Sequence, residues 1–103
     1  MKVIEYGGIL ARLTISVGSF YAEHHAWPTH LKTSRDFWET LTSSHLTPSG
    51  AHQVKARLTV QLVEEPIMCM VVSDTHGRMY NYYDNEPNFD FDADEVRSWL
   101  GVE

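Results

Sequence analysis

The 103-residue chain holds a single cysteine, Cys69, so no intramolecular disulfide can form. Cys69 lies within the apolar run Ile67–Val72, the setting of a reduced, packed thiol rather than of a nucleophile with a thiolate-stabilising neighbour. Long apolar stretches are also missing. Ile9–Val17 is interrupted by Arg12 and falls far short of the ~20 residues that cross a bilayer. Glu5 and Arg12 do not fit a signal peptide and no Asn-x-Ser/Thr sequon occurs, so the expected setting is cytoplasmic, with no membrane. Basic charge is scarce: 8 Lys+Arg stand against 14 Asp+Glu, a net charge of −6. That balance excludes direct, sequence-independent nucleic-acid binding, which needs clustered Lys and Arg on the phosphates. There is no Gly-rich phosphate loop, nucleophile elbow, Rossmann fingerprint, internal repeat or low-complexity tract.

What is present is ordinary globular material, 43% hydrophobic and 21% charged, and the length fits one α+β domain over 1–103. Met1–Tyr6 reads as a short strand and Gly7-Gly8 as a hairpin turn. Ile9–Val17 alternates, with Ile9, Ala11, Leu13, Ile15 and Val17 on one face, and is predicted as a strand. Gly18–Lys32, broken by Pro28, is expected to be a structured loop. Thr33 is placed as the cap of a helix that ends near Ser44, carrying Phe37, Trp38 and Leu41 inward, before a loop at Thr47–Gly50. Gln53–Glu65 alternates again and is predicted as a strand that Pro66 ends. Ile67–Val72 is expected to be a central strand and Asp74–Gly77 a hairpin turn, with Arg78–Tyr83 returning. Asp92 and Glu95 form a capping box for a last helix that Gly101 stops. The expected order is ββαβββα: one mainly antiparallel twisted sheet of about five strands with two helices on its apolar face.

Three strings bear on chemistry. Val71–Gly77, with Asp74-Thr75-His76 at a strand end, resembles the first motif of the calcineurin-like metallophosphoesterases, where an Asp-x-His supplies two ligands to a two-metal centre. Only 26 residues follow Gly77 and none is histidine, so the family's later ligand motifs have no counterpart, and the string is read as a turn. His24, His25 and His30 cluster around Trp27-Pro28 and are the weak candidates for a metal, with Glu23 near; the expectation is surface or interface histidines and no cofactor. Asp84–Glu95 places acids or amides at the spacing of an EF-hand loop, but Phe89 stands where that loop needs glycine for its sharp turn, and Pro87 occupies its fourth position.

The charge is unevenly spread. Residues 1–83 hold seven basic and seven acidic residues, whereas residues 84–103 hold seven acids against Arg97 alone. Asp92, Asp94 and Glu95 suit a helix N-terminus. Asp84, Glu86 and Asp90 have no such role and are interleaved with Tyr80, Tyr82, Tyr83 and Phe89, which are expected to be exposed. Aromatics ringed by charge are the make-up of a protein interface. The sequence therefore points to a non-enzymatic binding module, a small acidic inhibitor or immunity-type protein that blocks a basic site on a toxin or defence complex. Two other readings stand beside it. One is a small metal- or ligand-dependent enzyme built on the His24–His30 loop. The other is a homodimeric structural domain, since three tryptophans and five tyrosines are a large aromatic load for this length.

Overall fold

The computed structural model describes residues 8–64 and 69–101. The strand expected at Met1–Tyr6 lies outside these residues, as does Gly7. Helix α1 spans Ile9–His24, strand β1 His30–Ser34 and helix α2 Arg35–Thr40; a π-helical turn over Leu41–His45 continues α2. Helix α3 covers Pro48–Arg57, strand β2 Thr59–Val63, strand β3 Met70–Ser73, strand β4 Met79–Asn81 and helix α4 Ala93–Leu100. The sheet runs β2-β1-β3-β4. It is mixed: β1 and β2 are parallel, while β1–β3 and β3–β4 are antiparallel. Among the described residues the fold is thus α+β with four strands, not a mainly antiparallel sheet of about five, and it has four α-helices rather than two.

The largest departure from the sequence reading is Ile9–Val17, which is helical. Every residue from Leu13 to Phe20 is buried, so the helix runs through the interior and polarity does not mark one wet side. Leu13, Val17 and Phe20, at i, i+4 and i+7, join the main core, and Ile15 is buried as well. An all-round buried helix satisfies both a period of two and one of 3.6, and the alternation carries no information there. The hydroxyls that simulated a polar strand face are bonded back along the helix: Thr14 Oγ1 donates to the Leu10 carbonyl at 2.9 Å and Ser16 Oγ to that of Arg12 at 2.8 Å. Gly8, expected in a hairpin turn, is instead the extended N-cap. His25 takes the left-handed C-cap conformation at φ 54° and closes the helix through its N–H to the Tyr21 carbonyl.

Thr47-Pro48, read as loop, opens α3. Thr47 Oγ1 accepts from the Gly50 N–H at 3.0 Å, and proline occupies the first turn, where its missing N–H costs nothing. The strand expected from Gln53 therefore begins only at Thr59. Val54 and Leu58 are buried four residues apart while His52, Gln53, Lys55, Ala56 and Arg57 are exposed. Ser34, not Thr33, caps α2, accepting from the Phe37 N–H; Thr33 is a buried strand residue whose hydroxyl donates to the Cys69 carbonyl at 2.9 Å.

The end of the chain follows the prediction closely. Asp74–Gly77 is a tight turn with Gly77 at φ 83°, and β4 returns beside β3. Asp92 Oδ1 accepts from the Asp94 and Glu95 N–H groups at 2.9 and 3.4 Å, and Gly101 at φ 79° ends α4. One face of the sheet carries Leu31, Thr33, Met70, Val72 and Tyr80 into the core beneath the helices. The other presents Lys32, Thr59, Gln61 and Met79 to solvent.

Candidate functional site

The acidic segment is not a tail. Residues 84–92 pack against α1 at Gly18 and Ser19, and α4 then buries Val96 and Leu100. Two contacts fasten it. Ser19 Oγ accepts from the Asn88 N–H at 3.0 Å and donates to the Asn88 carbonyl at 3.3 Å. Phe91 lies flat on Gly18, so close that a Cβ there would stand 2.4 Å from the ring.

Ahead of these anchors and at the first of them, short amide side chains set the shape. Asn81 Oδ1 accepts from the Tyr83 N–H, and Asn81 Nδ2 donates to Asp84 Oδ2 at 2.9 Å. Asn85 Oδ1 accepts from the Asn81 N–H at 2.8 Å, and Asn88 Oδ1 from the Asp90 N–H at 3.0 Å. Asn81 and Asn88 do this because an asparagine carbonyl reaches the backbone N–H two residues on, imitating a backbone turn, whereas Asn85 reaches back four residues. Asn81, Asn85 and Asn88 were missed as site-building residues; their recurrence beside the acids was the available signal.

The aromatic residues divide. Phe89 is 51% exposed, its ring 6.3 Å from that of Phe91. Tyr83 is at the border of exposure and packs edge-on to half-buried Tyr82 at 5.2 Å; its hydroxyl accepts from Arg12 Nη1 at 3.1 Å. Tyr80 is not exposed as expected. It is 2% accessible because β4 turns alternate residues into the core. Burial pushes its hydroxyl above the usual phenol range, partly offset by Ser19, and the neutral O–H donates to the Asn85 carbonyl at 3.4 Å. Asp84, Glu86 and Asp90 are exposed, as are Asp92, Asp94 and Glu95 at the start of α4.

The three histidines occupy different elements. His24 ends α1 with its ring edge-on to Phe20 at 4.7 Å, His25 is the left-handed cap, and His30 opens β1 with Nδ1 2.7 Å from Thr29 Oγ1. No group of three or more His, Cys, Asp or Glu side chains among the described residues is arranged to hold a metal. Much of the aromatic load is used internally. Trp38 is buried, and Trp27 stacks on Trp99 at 4.6 Å, between Tyr21 on one side and the Arg57 guanidinium on the other. Cys69 is half-buried with Sγ 3.7 Å from the Lys32 carbonyl.

The Asp-x-His string is a turn brace. Asp74 Oδ1 accepts from the N–H groups of His76 and Arg78, and Oδ2 from Arg78 Nε at 2.7 Å. Burial alone would raise this carboxyl, but the Arg78 and backbone hydrogen bonds outweigh it and hold it below the ordinary range. A carboxyl lowered on folding stabilises the fold above its unfolded pKa of about 4, and the contribution is lost as pH falls through the folded value. Asp74→Asn is therefore expected to melt below the parent at pH 7, with a narrower gap at a pH below about 4. Thermal denaturation at the two pH values checks this; a gap of constant size would show that the charge is not what stabilises the turn.

Among the described residues no helix is long and apolar enough to cross a membrane. No protein-family model, no curated protein and no solved structure matches the chain.

Proposed function

We propose that the protein is a binding module that engages a basic surface of a protein partner through the segment Tyr83–Glu95, in the manner of small acidic inhibitors and immunity-type proteins. One observation carries the reading. Six exposed carboxylates lie on twelve consecutive residues without a single Lys or Arg, on a backbone braced by asparagines and fastened to α1, with the half-exposed ring of Phe89 among them. A braced segment has little conformational entropy left to lose on binding. Carboxylates of one sign accelerate encounter with an Arg/Lys-rich site, and an aromatic ring in their midst supplies the desolvated anchor. Tyr80, being in the core, serves the site only by supporting Asn85.

The experiment begins with capture of the partner from extracts of the native host and its identification by mass spectrometry, then titration of the purified pair at two salt concentrations. Replacing Asp84, Glu86 and Asp90 together by Asn, Gln and Asn is expected to weaken binding about tenfold or more and to flatten the salt dependence. Affinity unchanged by the triple substitution would sink the proposal.

A further inference from the structure

The sheet has two edges of different character. At one, β4 is three residues long and runs directly into the Asn81–Asn85 turn. At the other, β2 offers five residues, Thr-Val-Gln-Leu-Val, with no Lys, Arg, Asp, Glu or Pro, the residues that commonly blunt an edge strand. Among the described residues nothing pairs with its outer side. The Thr59 N–H donates to the Thr29 carbonyl at 2.9 Å, so Thr59, Gln61 and Val63 turn their backbone groups toward β1. In a parallel ladder alternate residues point oppositely, which leaves the N–H and C=O of Val60 and Leu62 directed outward. The side chains of Val60 and Leu62 are also only half-buried, whereas their same-face neighbours Leu31, Thr33, Met70 and Val72 are closed off from solvent. An open apolar margin and four outward backbone groups coincide on one strand.

We infer that β2 pairs with β2 of a second copy of this chain, antiparallel about a two-fold axis at Gln61, to form one continuous eight-stranded sheet. The strand is complementary to itself in that register. Val60 faces Leu62 of the other copy at hydrogen-bonded positions, so the two pairs exchange four backbone hydrogen bonds and join the two apolar margins. Gln61 meets its own copy at the intervening non-hydrogen-bonded position, where the Cα atoms stand about 4.5 Å apart. Charge agrees: exposed Arg57 precedes the strand and exposed Glu64 follows it, so antiparallel pairing sets the basic end of each strand beside the acidic end of the other. Arg57 also donates to the Trp99 carbonyl, and Glu64 is already paired with Arg35 of its own chain, so the backbone hydrogen bonds and apolar margins carry the pairing and the charge match only orients it. The area joined by five residues a side is at the low end for specific interfaces, and the association is expected to be concentration-dependent. The acidic segment follows β4, the opposite edge strand, so this pairing and the proposed partner site stand or fall separately.

Sedimentation equilibrium of the full chain over a concentration series is expected to show a monomer–dimer equilibrium. In a Cys69→Ser background, Gln61→Cys should form a disulfide-linked dimer on mild oxidation. Thr59→Cys should not, because its own copy lies four residues away along the ladder. Gln61→Lys places two ammonium groups face to face and should weaken dimerisation about fivefold or more, with the circular dichroism spectrum and melting temperature of the monomer retained, since Gln61 is exposed. A monomer at every concentration, a Thr59→Cys dimer formed as readily as the Gln61→Cys one, or a dimer indifferent to Gln61→Lys would each overturn the proposal.

Discussion

Replacing Phe20 by alanine is expected to lower the unfolding free energy by about 3–5 kcal/mol, which for a domain of this size is a fall of roughly 12 °C or more in melting temperature. The ring is wholly buried at the centre of the main core, on the same stripe of α1 as Leu13 and Val17, and it also receives the edge of the His24 ring. Its removal leaves a void beneath the sheet that the surrounding side chains cannot close without leaving their rotamers. Against a total of 5–15 kcal/mol for a typical domain, the loss brings the protein close to unfolding. Ser16→Ala on the same helix is the control. Its hydroxyl bonds to the helix's own Arg12 carbonyl, so its loss should cost about 1 kcal/mol or less. Urea denaturation of both variants checks the pair; a Phe20→Ala loss below that of Ser16→Ala would place Phe20 outside the core.

Gly18→Ala is expected to destabilise by about 1–3 kcal/mol, the reverse of what helix propensity predicts. In an open helix the change gains up to about 1 kcal/mol, because glycine loses the most backbone freedom on folding. At this site the added Cβ would stand 2.4–2.6 Å from three atoms of the Phe91 ring, which must lift away and carry the Asn88–Asp92 stretch with it. Overpacking of that kind costs about 1–3 kcal/mol, and lost burial of the phenyl ring adds to it. A double-mutant cycle isolates the cause. In a Phe91→Ala background the alanine at 18 should become neutral or favourable. A stabilised Gly18→Ala single variant would contradict the seating of Phe91 on α1. Because the same contact fastens the acidic segment, Gly18→Ala should also weaken any partner held by Asp84, Glu86 and Asp90.

The parts of the fold that were legible are those in which local chemistry and tertiary environment agree. Asp92, Glu95 and Gly101 bound α4 as their side chains and backbone freedom require. The Asp74–Gly77 turn is specified by one carboxylate and one glycine. Of the apolar run Ile67–Val72, expected as a central strand, Ile67 and Met68 lie outside the described residues and Met70–Val72 belongs to an interior strand. Alternation misled at Ile9–Val17 and Gln53–Leu58. In the first, burial on every side removes the contrast that distinguishes a strand from a helix. In the second, the Thr47-Pro48 start signal carried more information than the five alternating residues after it. At the candidate site, the acids could be read from composition alone. The withdrawal of Tyr80 into the core, and the bracing by Asn81, Asn85 and Asn88, depend on which way β4 faces and on what lies beneath the loop.

The sequence by itself determined that the chain forms an α+β structure, where it turns and caps near its end, and that all of its net charge resides in residues 84–103. These properties are local: they follow from side-chain chemistry within a few residues of the position concerned. Only the tertiary structure decided that α1 is a helix threaded through the core, that the acidic segment is fastened to it, and that β2 and β4 are the two edges of the described sheet. Those outcomes depend on contacts between residues far apart in the chain, such as Ser19 with Asn88 and Gly18 with Phe91, whose free energy no pattern within either segment records.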